Sequence, residues 1–195
     1  MGNDMDSAHV PSRRITRTTN NTEPQHVCSQ CSRSDEVPPI DYYWRDYLGI
    51  VPRDAVPGGH DVTNRTTYIG QGFYSKAGLL TGTIYPGISG IKLPYSGSNT
   101  SEIGVKVLCS PNATCFQWKR AESTTLHSST IGKHLVIGGF EDGKMINIGR
   151  AMFQGELVVG KVLGFQAEKA KLYFIHGDKE YEVSSYEVLI YQATP

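Results

Sequence analysis

Along most of the chain, apolar and polar positions alternate in short runs separated by glycine, aspartate and asparagine. Thr67-Tyr68-Ile69, Ile91-Lys92-Leu93, Val105-Lys106-Val107, Met145-Ile146-Asn147-Ile148, Lys171-Leu172-Tyr173-Phe174-Ile175 and Tyr186-Glu187-Val188-Leu189-Ile190-Tyr191 are rich in β-branched or aromatic residues and of strand length. Asp142-Gly143 and Gly177-Asp178 fall between such runs as turn signals. No segment sustains a 3.6-residue amphipathic period behind a capping residue, so little helix is expected. Ahead of Tyr42-Tyr43-Trp44 the pattern is different: up to about Pro39 the residues are mostly Ser, Thr, Asn, Pro, Arg and acids, with single hydrophobics in no period. Residues 1–41 therefore read as a disordered tail, and residues 42–192 as one compact all-β domain.

The apolar pattern also repeats. Gly58-Gly59-His60-Asp61, Tyr68-Ile69-Gly70-Gln71-Gly72, Leu79-Leu80-Thr81-Gly82-Thr83-Ile84, Tyr95-Ser96-Gly97 and Val105-Lys106-Val107-Leu108-Cys109 form one ordered series. Gly138-Gly139-Phe140-Glu141, Asn147-Ile148-Gly149-Arg150-Ala151, Leu157-Val158-Val159-Gly160-Lys161-Val162, Ile175-His176-Gly177 and Tyr186-Glu187-Val188-Leu189-Ile190 form a second series in step with it. Trp44 and Trp118 open the copies, which places repeat one at about 44–110 and repeat two at about 116–191. A unit of roughly 70 to 75 residues is long for a solenoid repeat. Two such units are expected to pack as pseudo-two-fold-related, intertwined halves of one core, with Trp44, Trp118 and most of the 17 tyrosines and phenylalanines inside it.

These segments resemble the DM-nine repeat, a module also found at the amino end of natterin-like toxins. The resemblance runs from about Trp44 to Tyr191. It rests on Pro52-Arg53-Asp54-Ala55-Val56-Pro57-Gly58-Gly59-His60-Asp61 in the first copy, and on Ile148-Gly149-Arg150-Ala151, Gly160-Lys161, Gly177-Asp178-Lys179-Glu180 and Tyr186-Glu187-Val188-Leu189 in the second. It implies an intertwined two-repeat β domain, mannose-type lectin activity in some members, and roles in innate immune recognition or agglutination of microbes. The departures concern the site. Gln71-Gly72 stands in place of Arg-Ala, Thr83 in place of the lysine of the Pro-Gly-Lys turn, Val159 in place of its proline, and Glu141 in place of the aspartate. An acid and a lysine together remain only in the second copy.

Sugar recognition needs a carboxylate to accept hydroxyl hydrogens and an ammonium to donate to the same ring's oxygens. Glu141 and Lys161 supply those types, and Asp61 is the acid of the first copy. Taken alone, Glu141 opens the Asp142-Gly143 turn and Lys161 is a surface lysine on a strand. Arg150 reads as structural. Cys109 and Cys115 bracket Pro111-Asn112; a short-loop disulfide between them is conceivable outside the cell, and structural thiols are the simpler reading.

Composition narrows the partners. The 19 Lys and Arg balance 19 Asp and Glu, so no chain-wide field holds a polyanion and nucleic acid is not expected. The apolar runs are far shorter than the roughly 20 residues that span a bilayer, so no membrane insertion is expected. The amino-terminal residues lack the apolar stretch of a secretory signal, which points to the cytoplasm, with non-classical release as the route outward. Cys28-Ser29-Gln30-Cys31, even with His26, falls short of the four ligands of a structural zinc site and reads as two exposed thiols. Gly70-Gln71-Gly72 lacks a dinucleotide loop's third glycine, and Gly87-Ile88-Ser89-Gly90 is a residue short of a nucleophile elbow. The expectation is a non-enzymatic module without metal or cofactor that binds mannose-type glycans and is capable of homo-oligomerisation, with a protein-interaction module as the alternative.

Overall fold

The computed structural model describes residues 40–192. Nearly all of the expected tail, with Cys28 and Cys31, lies outside them. Among the described residues helix is confined to one α turn, Leu126–Ser129, and one 3-10 turn, Ala113–Cys115, and no helix is long and apolar enough to cross a membrane.

The all-β reading holds, with fifteen strands among the described residues. Repeat one contributes β1 (Tyr43–Asp46), β2 (Pro57–His60), β3 (Thr66–Tyr74), β4 (Gly78–Ile84), β5 (Ile91–Pro94), β6 (Ser98–Ser101) and β7 (Lys106–Cys109). Repeat two contributes β8 (Phe116–Glu122), β9 (His134–Leu135), β10 (Ile137–Glu141), β11 (Lys144–Phe153), β12 (Glu156–Val162), β13 (Leu172–His176), β14 (Lys179–Val183) and β15 (Ser185–Tyr191). Pairings recur copy for copy. β1 pairs with β7 as β8 does with β15, β3 with β4 as β11 with β12, and β5 with β6 as β13 with β14. The β11–β12 hairpin forms because a tight turn with a left-handed pair of residues matches the right-handed strand twist. Gln154 and Gly155 supply that pair between β11 and β12, at φ of 49° and 83°.

The repeats are intertwined. β2 of repeat one pairs with β12 of repeat two through His60 and Leu157, and β10 of repeat two pairs with β4 of repeat one through Phe140 and Leu79. With the β11–β12 ladder, these pairings close a ring of six strands: β12, β2, β3, β4, β10 and β11. The double glycines permit the crossings. A Cβ on Gly59 would lie 1.9 Å from the Leu157 carbonyl oxygen, and one on Gly139 would lie 2.0 Å from that of Leu79. At both places the ladder slips register, between Pro57 and Gly59 and between Ile137 and Gly139.

The core falls into three apolar clusters. The central one draws on both repeats, with Val56, Ile69 and Leu108 against Val136, Ile148, Val159 and Leu189. Trp44 and Trp118 do not anchor the core as expected. Both are half-buried on the margin of this cluster, because their strands β1 and β8 lie at the sheet's periphery. Tyr47, Phe174, Tyr186 and Tyr191 are buried, but Phe73, Phe140 and Phe165 face solvent, so aliphatic side chains fill most of the interior. Cys109 is buried with a free thiol, so no disulfide joins it to Cys115, and burial pushes its pKa up to about 11.

Candidate functional site

Glu141 ends β10, where it pairs with Gly78 of repeat one, and Lys161 sits in β12 between Ile148 of β11 and Tyr173 of β13. The structure brings the two side chains together: the Lys161 ammonium donates to Glu141 Oε2. Lys161 is 2% exposed and Glu141 7%, so the lysine is a buried cation and not the surface residue that its strand position alone suggests. A charge in such a place persists only when paired, and here the carboxylate is the partner.

Aromatic rings complete the arrangement. Lys161 Nζ lies 5.3 Å from the ring centre of Tyr95 and 5.7 Å from that of Tyr173, within cation–π range of both. Tyr95 belongs to the turn between β5 and β6, where Ser96 and Gly97 take positive φ and Asn99 Nδ2 donates to the Tyr95 carbonyl. The Gly97 amide donates to Glu180 at 2.6 Å, which ties this turn of repeat one to β14 of repeat two. The site is therefore assembled from both repeats. Nearby carboxylates act on the phenols. Asp142 beside Tyr95 raises its pKa, while burial, helped by a hydrogen bond to Glu182, pushes that of Tyr173 up to about 12. Both phenols stay protonated, each with its hydroxyl hydrogen turned to a carboxylate, Asp142 for Tyr95 and Glu182 for Tyr173. A cavity of about 510 Å³ adjoins Tyr173, with Ser96, Gly97, Glu180 and Glu182 among its other lining residues.

Asp61 does not join this pair. Its Oδ1 accepts from the Thr63 amide and hydroxyl and from the Arg65 amide, and its Oδ2 takes the Arg65 guanidinium at 2.8 Å. With both oxygens engaged, Asp61 fastens its own loop. Thr83, in the place of the lysine, is buried, and its hydroxyl bridges the Val159 carbonyl and amide at 3.0 and 2.9 Å. Arg150 is structural: it donates to Glu187 at 2.7 Å and to the Gly58 carbonyl at 3.1 Å and lies 4.2 Å over the Trp118 ring. Gln71 holds the Gly138 carbonyl in the corresponding way, at 2.7 Å. Each double glycine is thus tied by a side chain from the other repeat.

Sequence reasoning missed Tyr95, Tyr173 and Asp142 as neighbours of the pair. Tyr95 marks a repeat position and Tyr173 lies in a strand run, and neither signal separates a tyrosine over a lysine from one in the core.

The model of the DM9 repeat matches residues 74–166, from the end of β3 through β12 and just beyond. This part of the chain carries a DM9 repeat. Such repeats are binding modules. Among solved structures, the fold is similar to that of the nematode sperm cell motility protein MFP2B, at 15% identity and a TM-score of 0.54, over 90% of this chain and 54% of that one. The chain thus spans about half the length of MFP2B. No curated protein matches the sequence.

Proposed function

We propose that this protein is a lectin-like recognition protein whose second-repeat site binds mannose-type glycans, in innate immune recognition or agglutination, without catalysing a reaction. The observation that carries the reading is the Lys161–Glu141 pair beside the two tyrosines. A hexose offers adjacent hydroxyls that both donate and accept, and the site holds an ammonium, a carboxylate and two phenols. Sugar faces stack on aromatic rings, and Tyr95, beside the Ser96–Gly97 turn, lies against the buried Lys161, so a sugar that reaches the ammonium has to displace it. We place the protein in the cytoplasm or outside the cell after non-classical release.

Calorimetry with methyl α-mannoside tests the proposal. Lys161→Ala removes a charged donor, with an expected loss of about 10- to 150-fold in affinity. Tyr95→Ala leaves the buried pair in place and is expected to weaken binding by about 10-fold. Absence of binding by the unaltered protein, or unchanged affinity in both variants, refutes the reading.

An exposed apolar row supports a second reading, a protein-interaction or self-association module. Phe73, Leu79, Phe140 and Met145 lie opposite one another across β3, β4, β10 and β11, and Phe73, Phe140 and Met145 are 57%, 48% and 56% exposed. In the other half the corresponding row is Met152, Leu157, His60 and Thr66. Apolar rows on a monomer surface are common sites of association. Sedimentation of the Phe140→Glu variant beside the unaltered protein tests it: a homo-oligomer held by this face dissociates in the variant.

A further inference from the structure

The repeat one counterpart of the Lys161 site has lost its lysine but not its cavity. Thr83, Tyr85, Ile88, Lys92 and Ile175, with the backbone of Gly90 and Gly177, enclose about 260 Å³. That is below the roughly 300–1,000 Å³ of drug-sized pockets and suits one small ring or substituent. The equivalence follows from packing. A Cβ on Gly82 would lie 2.5 Å from the Lys92 carbonyl oxygen, as one on Gly160 would lie 2.0 Å from that of Tyr173, so Lys92 takes the place of Tyr173 as Thr83 takes that of Lys161.

The groups that face this cavity differ from those of the other site. Its walls are apolar at Ile88 and Ile175. Lys92 Nζ donates to the Gly177 carbonyl at 3.0 Å and to Asp178 at 2.8 Å, which leaves one of its three hydrogens for a ligand. The Gly177 carbonyl keeps a second lone pair. The Tyr85 hydroxyl gives its hydrogen to Glu156, whose other oxygen meets His176 Nδ1 at 2.9 Å, so the phenolic oxygen is left as an acceptor. The wall thus offers one donor, two acceptors and two aliphatic side chains. An anion is disfavoured because Lys92 is already matched by Asp178 and the Glu156 carboxylate lies behind Tyr85. An ammonium is disfavoured against Ile88 and Ile175.

We propose that this pocket is a second glycan site and takes the acetamido group of an N-acetylated hexosamine. The amide carbonyl accepts from Lys92, the amide N–H donates to Gly177 or Tyr85, and the methyl packs between Ile88 and Ile175. The inference goes beyond the mannose-type site and does not depend on Lys161.

The test uses the full chain, with saturation-transfer NMR and calorimetry on methyl N-acetyl-β-glucosaminide, methyl β-glucosaminide and methyl β-glucoside. The acetyl methyl is expected to show the strongest saturation, and the amine and hydroxyl analogues to bind at least about 5-fold more weakly. Ile88→Asp, at a side chain too exposed to support the core, and Lys92→Met are each expected to lower affinity for the N-acetyl compound by about 5-fold. Excess methyl α-mannoside is expected to leave the acetyl signal in place. Equal affinity for the three glycosides, no binding, unchanged affinity in both variants, or displacement by mannoside would each overturn the proposal. N-acetyl binding in a protein that ignores mannoside refutes the earlier reading and supports this one.

Discussion

Gly59 of the first repeat lies against Leu157 of the second so closely that even a methyl group has no room: its Cβ would stand 1.9 Å from the Leu157 carbonyl oxygen. Gly139 meets Leu79 in the same manner, at 2.0 Å. In both cases the obstacle is a backbone carbonyl held in a ladder, so it cannot move aside as a flexible side chain does. Gly59→Ala and Gly139→Ala are each expected to cost about 3 kcal/mol or more in urea unfolding. Gly90→Ala, whose Cβ would meet nothing nearer than 3.4 Å, is the control and should stay within about 0.5 kcal/mol. A loss no larger at Gly59 and Gly139 than at Gly90 would contradict this account of the crossing.

The crossing also governs how the chain can be divided. Residues 44–112 hold β2 without β12, and residues 113–195 hold β10 without β4, so each half exposes an unpaired edge and part of the central cluster. Expressed separately, the halves should be unfolded or aggregated, and when mixed they should give one folded complex. A well-dispersed NMR spectrum from either half alone is the result that argues against intertwining as a requirement for folding.

Lys161 and Glu141 separate stability from recognition. Removal of one member of a buried pair strands the other charge, and Lys161→Ala is expected to lose about 3–5 kcal/mol by chemical denaturation. The double variant Lys161→Met, Glu141→Leu should recover most of that loss, because apolar side chains of similar size fill the space without a desolvation cost. It should not recover glycan binding. Recovery of both would assign the pair to folding alone.

Asp61 produces an acid dependence with a definite sign. The Thr63 hydroxyl, then the Arg65 amide and guanidinium, hold its carboxyl well below the usual carboxylate range, while the unfolded chain retains a pKa of about 4. A depressed folded pKa makes its contribution fully present above the unfolded value and progressively lost as the pH falls towards the folded one. The melting temperature should therefore decline as the pH drops below about 4, and Asp61→Asn should flatten that part of the curve. An identical slope in the variant would show that other carboxylates control it.

Much of this molecule was legible before any coordinates. Strand runs such as Lys171 to Ile175 and Tyr186 to Tyr191 follow from residue type and period, which are local properties. The duplication was countable, and the partnership of Glu141 with Lys161 followed from the family resemblance, since an acid and a lysine remain together only in the second copy. Other features depend on residues distant in the chain meeting in space. Nothing local tells β2 to pair with β12: that choice is made where Gly59 lets the backbones touch, and it is stabilised by the central cluster shared between the repeats. The chain also does not announce that Lys161 is buried between two tyrosines, that Asp61 is closed off by Thr63 and Arg65, or that Trp44 sits at the margin. Burial and hydrogen-bond partners are properties of the packed whole, and a residue's type limits them without selecting among them.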